Sequence, residues 1–212
     1  MPEAGRVIAG TAGGRRLLAP GPGTRPLSDR VKQTLFAILE PDLEGAAFLD
    51  LFAGSGAAGI EALSRGAARA VFVERDTDAV RIIRENLRRT GLEARASVVT
   101  ADVGPWVASA PVRLVAPRPT GRLEPIDPIG PFDVVFMDPP YADVALLAAT
   151  LIRLADPDGA LLTPTARVVA KHFWRDTPPE RVGLLEVERT RRFGETSLTF
   201  YRATANAGSE GA

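Results

Sequence analysis

The 212-residue chain predicts an α/β fold: a mostly parallel β-sheet covered on both faces by helices, ending in an antiparallel pair of strands. Two observations predict it. From residue 47 to residue 172, short and continuously apolar runs alternate with segments that are apolar at helical spacing. A parallel strand buried on both faces reads as such an unbroken run. The last two runs, inside GLLEVERTRRFGETSLTFYR (183–202), are joined by a glycine turn with no helix between them, which fits an antiparallel edge.

The elements follow in order. RVIAG (6–10) and GRRLLAP (14–20) flank the turn TAGG and predict a short hairpin, and GPGTRPL (21–27) is a loop by its proline and glycine. Ser28 is placed to cap a helix over 29–40, where Val31, Leu35, Ile38 and Leu39 share a face. AFLDLF (47–52) is a buried strand, followed by a glycine-rich turn and a helix over 57–66. RAVFVE (69–74) is the next strand, and TDAVRIIRENLRRTG (77–91) is a helix with Asp76 or Thr77 as cap and Gly91 as stop. ASVVT (96–100), FDVVFMD (132–138) and ARVVAKH (166–172) are three further strands, and DVALLAATLIRLAD (143–156) is a helix. PVRLVAPRPTGRLEPIDPIGP (111–131) is rich in proline and has no period, so it reads as a flexible surface insertion. ATANAGSEGA (203–212) reads as a disordered tail. Residues 1–40 thus form an N-terminal extension to a main domain over 41–202.

Bulk properties exclude several classes. The chain has no cysteine, which removes disulfides and thiolate metal sites and fits a cytoplasmic location. No apolar run is long enough to span a bilayer, and the start lacks the apolar core of a signal peptide. With 26 basic and 26 acidic side chains, the chain does not coat nucleic acid through bulk charge. The first 40 residues are nonetheless locally basic, with Arg6, Arg15, Arg16, Arg25, Arg30 and Lys32 against Glu3, Asp29 and Glu40.

Four strand ends carry acids. DLFAGSGAAGIEA (50–62) places Gly54, Gly56 and Gly59 at G-x-G-x-x-G spacing between a strand and a helix, where backbone can approach a nucleotide closely. Glu74 ends the next strand, where a carboxylate can accept two hydrogen bonds from a ribose diol. NAD and S-adenosylmethionine both fit this much. Asp50 separates them: at the mouth of the glycine loop it would repel a pyrophosphate and favour an amino group and a sulfonium. Asp102 follows the third strand, within reach of an adenine edge. A turn-stabilising acid and a helix cap are the plainer readings of Asp50 and Asp102. The fourth strand end reads MDPPYAD (137–143). Two prolines cannot extend a paired central strand, so this is either a strand stop with a capping Asp or a site for a flat, amine-bearing ring. Ligands bind at such strand ends in open parallel sheets, and four acids there favour a site.

LDLFAGSGAAGIEALSRGA (49–67), FVE (72–74) and DPPY (138–141) resemble the class I S-adenosylmethionine-dependent methyltransferases of exocyclic amines. RVIAGTAGGRRL (6–17), TRPLSDRVKQTLFAIL (24–39) and RRFGETSLTFY (191–201) narrow the resemblance to the ribosomal RNA small-subunit methyltransferase D family. It implies a Rossmann-like, mostly parallel seven-stranded sheet and methylation of a guanine N2 in small-subunit ribosomal RNA, by a monomer acting on the RNA or an assembling particle. It implies a cofactor held by Asp50, Phe52, Gly54, Gly56, Gly59, Glu74 and Asp102, with no metal. Asp138 and the Pro139 carbonyl would each accept one amine proton, and Tyr141 would stack the flipped base. Arg15, Arg16, Arg25 and Arg30 would meet phosphates, with Arg192 a weaker candidate. The chain departs from the family pattern at 111–131, Leu27, Phe193 and Lys171–His172. His172, Trp106 and Trp174 read as structural. A DNA adenine-N6 methyltransferase, an NAD oxidoreductase and a non-catalytic assembly factor are the competing readings.

Overall fold

The computed structural model of the chain describes residues 3–21, 27–109, 115–117, 123–125, 130–141 and 143–204. Its elements in chain order are β1 (Glu3–Arg6), β2 (Arg16–Leu18), α1 (Asp29–Leu39), β3 (Ala47–Leu51), α2 (Ala57–Ser64), β4 (Arg69–Glu74), α3 (Thr77–Thr90), β5 (Ala96–Thr100) and α4 (Val103–Ala108). There follow β6 (Val115–Pro117), β7 (Leu123–Pro125), β8 (Phe132–Met137), α5 (Val144–Leu154), β9 (Leu162–Phe173), β10 (Arg181–Val182), β11 (Leu185–Phe193) and β12 (Thr196–Ala203).

The main sheet runs β10-β11-β12-β9-β8-β3-β4-β5. β9, β8, β3, β4 and β5 are parallel, and β12, β11 and β10 add antiparallel to that edge. Seven strands match the expected sheet, and the eighth is the two-residue β10 at the outer edge. The chain moves outward from β3 through β4 to β5, then crosses to β8 on the other side of β3. The topological switch therefore lies between β3 and β8, where a crevice opens beyond the strand ends.

Alternation along the strands sorts the core into two layers. Phe48, Phe72, Phe136 and Phe200 point to the face covered by α1, α2 and α3, with Leu35, Phe36, Ile60 and Ile83 packed on them. Leu49, Leu51, Val73 and Met137 point to the other face, against Val103 of α4 and Leu147 and Leu151 of α5. The amphipathic helices end as their sequences dictate. Ser28 Oγ accepts from the Val31 N–H, Asp76 caps α3 through the N–H groups of Asp78 and Ala79, and Gly91 closes α3 in the left-handed conformation.

Four elements differ from the sequence reading. The first strand of the N-terminal hairpin is Glu3–Arg6, so it meets RVIAG at Arg6; Val7 still pairs through its backbone with Arg15 and Gly14, and the rest of RVIAG leads into the turn. Two three-residue strands, β6 and β7, pair antiparallel within 111–131. The rest of that stretch up to residue 129, and the tail from 205, lie outside the described residues. α4 has only six residues and includes Gly104 and Pro105, so it carries no readable period.

The N-terminal extension is fastened to the main sheet by buried polar groups. Glu61, fully buried on α2, accepts from the N–H groups of Ile8 (2.7 Å) and Ala9 (3.1 Å) and from Arg65 Nε (2.8 Å). Ser64 Oγ accepts from the Ala12 N–H at 2.9 Å and donates to the Ala9 carbonyl at 2.6 Å. Asn86 of α3, also fully buried, pairs with both backbone groups of Leu18 and donates to the Ser55 carbonyl in the glycine loop. Glu61→Ala strands two backbone donors. It is expected to cost about 2–6 kcal/mol in urea unfolding, at about 1–3 kcal/mol per unsatisfied group, with Glu61→Gln milder. Among the described residues no helix is long and apolar enough to cross a membrane.

Candidate active site

A cleft of about 840 Å³ opens at the switch point. It is in the size range of small-molecule sites. The four acids expected at strand ends all line it: Asp50, Glu74, Asp102 and Asp138. Ala4, Ala19 and Leu27 of the N-terminal extension close one wall.

The glycine loop leaves β3 through an unusual conformation. Phe52 has φ 60°, in the left-handed region that bulky residues avoid. Its neighbour Gly54, φ 56°, also lines the cleft, and a Cβ there would meet only the Phe52 carbonyl at 4.0 Å. That leaves open backbone facing the cleft. The other two glycines of the motif serve the fold. Gly56 is the left-handed N-cap of α2, and a Cβ on Gly59 would lie 2.3 Å from the Phe72 ring. Gly56 and Gly59 lie at the start of α2, packed close on β4, while Gly54 is the glycine of the motif that lines the cleft.

Asp50 is 2% exposed, and its Oδ2 accepts from the Gly59 N–H at 2.8 Å. Burial pushes its carboxyl well above the usual range, Asp138 and Glu74 add to the rise, and the Gly59 bond opposes it. Glu74 accepts from the N–H groups of Gly54 and Asp76, both at 2.9 Å, so it braces the glycine loop from the next strand. Asp102 stands at the N-cap of α4 but makes no capping bond. Its exposed carboxylate lies 3.6 Å from Arg75 instead, which disposes of the helix-cap reading.

Asp138 leaves β8 with its N–H on the Leu51 carbonyl (3.3 Å), holding the turn to β3. The Pro140 carbonyl accepts from the Asp143 N–H at 2.9 Å, while the Pro139 carbonyl has no partner among the described residues. Tyr141 is anchored at its hydroxyl by Thr196 Oγ1 (2.6 Å), leaving the ring as a wall of the cleft. Burial raises the Asp138 carboxyl, and the ammonium of Lys171 pulls it back down. Lys171 Nζ donates to Asp138 Oδ1 at 2.6 Å. The sequence reading noted Lys171 only as a departure. A lysine inside the apolar run ARVVAKHF was the available signal, since a buried ammonium needs a counter-charge.

The proposed RNA contacts are less tightly gathered. Arg16 pairs with Glu3 (2.7 Å) and Arg15 donates to the Arg89 carbonyl. Arg30 is exposed, and Arg25 lies outside the described residues. Trp174, expected to be packing, is half-buried with Arg192 at 3.7 Å and Arg175 at 4.8 Å from its ring centroid. Tyr141, Phe173 and Trp174 form a chain of ring contacts, at 6.3 Å and 6.2 Å, from the cleft to these arginines. His172 is buried, with Phe173 and Thr199 on its ring nitrogens, as a structural residue is. No cluster that could hold a metal ion exists among the described residues.

Comparison with known proteins gives a consistent set. A family model described as conserved hypothetical protein 95 matches residues 5–112 and 121–202. Ribosomal RNA small subunit methyltransferase D of Escherichia coli strain K12 is 38% identical over 206 residues, covering 97% of this chain and 93% of that protein. YlbH of Bacillus subtilis strain 168 is 37% identical over 198 residues, covering 93% of this chain and 98% of that protein. Among solved structures, yhhF from Escherichia coli aligns with a TM-score of 0.76 at 32% identity, covering 94% of this chain and 98% of that one. An RNA methyltransferase from Salinibacter ruber, solved with S-adenosylhomocysteine, shares the fold at a TM-score of 0.57 and 17% identity, covering 87% of this chain and 97% of that one.

Proposed function

Since the chain belongs to the ribosomal RNA small subunit methyltransferase D family, we propose that it transfers a methyl group from S-adenosylmethionine to the N2 amine of a guanine in small-subunit ribosomal RNA. One observation carries the reading: the acceptor groups of the DPPY turn open onto the same cleft as the acids and bare backbone of the glycine loop. The donor chemistry of that cleft fits the cofactor. Glu74 suits a ribose diol and Asp102 an adenine amine. Asp50 favours a cation and disfavours the pyrophosphate of NAD. S-adenosylmethionine supplies, when bound, an electrophilic methyl carbon on a cationic sulfur.

What remains for the protein is to present the amine. An exocyclic amine is a poor nucleophile because its lone pair is delocalised into the ring. Asp138 accepts one of its protons and the Pro139 carbonyl the other, which frees the lone pair and aims it across the cleft. Tyr141 stacks the flipped base, worth about 1–3 kcal/mol.

Labelled-methyl transfer to unmodified small subunits, naked ribosomal RNA and DNA, followed by mapping, tests the reading. N2-methylguanine in the small-subunit RNA is expected; label only in DNA, or as methyladenine, overturns it. The outer faces of Arg175 and Arg192 offer planes on which flanking bases stack. Trp174→Ala removes their support and is expected to weaken small-subunit binding about tenfold by filter binding, with cofactor affinity unchanged.

A further inference from the structure

Asp138 is bound to a cation before any substrate arrives. Lys171 on β9 places its Nζ 2.6 Å from Asp138 Oδ1 and 4.9 Å from the centroid of the Tyr141 ring. The two side chains of the pair are 10% and 20% exposed. Burying an ammonium costs several kcal/mol unless it is paired. Among the described residues Asp138 supplies the only hydrogen bond to the Lys171 ammonium. One ammonium therefore touches both the group assigned to accept the amine proton and the ring assigned to stack the base.

We propose that Lys171 is a positioning residue for methyl transfer: it pins one oxygen of Asp138, gives that buried carboxylate its counter-charge, and holds the Tyr141 ring by its face. The inference rests on the function proposed above. The surroundings leave Lys171 this role alone. Asp50 of β3 and Glu74 of β4 are further acids on the cleft, and Asp138 and Glu74 both raise the Asp50 carboxyl. Asp76 and Asp143 are acids on the cleft as well, and they cap α3 and α5 through the N–H groups of Asp78, Ala79 and Leu146. Arg75 of the loop after β4 also lines the cleft but is engaged by Asp102. On β9 itself, His172 is committed to Thr199 and Phe173. Lys171 moves no proton in this role. With Oδ1 taken by the ammonium, Asp138 is a weaker base and a fixed acceptor, which suits an amine whose proton becomes acidic only after the methyl has arrived.

The test compares wild type with Lys171→Met, Lys171→Gln and Lys171→Arg, each checked for folding by thermal melting. In protein labelled with ¹³C-aspartate, the Asp138 carboxyl resonance, assigned with Asp138→Asn, is followed against pH. Its midpoint is expected to rise by about one to three pH units in the two neutral variants and to return close to wild type with arginine. The acid limb of kcat on small subunits is expected to move up with it, with KM for the cofactor unchanged. A resonance midpoint that stays put in both neutral variants overturns the proposal. So does one that moves while the acid limb does not, because the ion pair is then only structural. A wild-type protein that transfers no methyl to RNA overturns the functional reading instead, and the resonance still decides whether Lys171 holds Asp138.

Discussion

Replacing Asp138 with alanine is expected to lower methyl transfer by about 10²–10⁴-fold, the range lost with a positioned proton-accepting group, while cofactor affinity stays close to wild type. The two effects separate because Asp138 follows β8, whereas Glu74 and Asp102, the groups proposed for ribose and adenine, come from β4 and the start of α4. Alanine also deprives Lys171 of its counter-charge, so this variant is expected to melt earlier. Asp138→Asn controls for that. It keeps the shape but only one acceptor oxygen where Lys171 and the amine together need two, and the mismatch is expected to leave activity far below wild type with a smaller loss of stability. Single-turnover methyl transfer beside calorimetric cofactor titration reads both quantities. An alanine variant that folds and methylates at the wild-type rate would remove the DPPY turn from the chemistry and favour a protein that binds the cofactor without using it.

How much of this was legible beforehand follows from the range of each interaction. β3, β4, β5, β8 and β9 and the helices α1, α2, α3 and α5 stand in the sequence because their signals are local: apolar period, a Ser or Asp cap, a closing glycine. The four acids were legible because each falls at the end of such an element. What connects elements was not. Glu61 fastens residues more than fifty positions away, Asn86 reaches 68 positions to Leu18, and Lys171 reaches 33 positions to Asp138. Each appears in the sequence only as a polar residue on an apolar face, at 61 within α2, at 86 among Ile83, Leu87 and Thr90, and at 171 within a buried strand. The same gap explains the glycines. Spacing marks Gly54, Gly56 and Gly59 alike, but only the position of the Phe72 ring, supplied by β4, turns Gly59 into a packing residue.

Asp50→Asn is expected to stabilise the fold while it weakens the cofactor, and the opposition comes from one buried charge. In the folded protein the Asp50 carboxyl titrates well above its unfolded value because it is buried beside other acids. Between those two values the native state binds more protons than the unfolded state, so stability is fully present below the unfolded value and falls as pH rises through the folded one. Asparagine keeps an oxygen for the Gly59 N–H and removes the charge, so the variant is expected to melt higher at neutral pH and to lose this pH dependence. Cofactor binding runs the other way. A cation in the cleft favours the charged carboxylate, so wild-type affinity is expected to climb with pH over the same window, with a proton released on binding. The asparagine variant is expected to bind about tenfold to a hundredfold more weakly, the equivalent of a charged hydrogen bond worth ~1.5–3 kcal/mol, and without that slope. Titrating S-adenosylmethionine and S-adenosylhomocysteine side by side assigns the loss. An equal loss for both points to the amino group they share, and a larger loss for the first points to the sulfonium. If the variant binds both ligands as wild type does, Asp50 acts on the glycine loop alone, and the argument that excludes a pyrophosphate from this cleft falls with it.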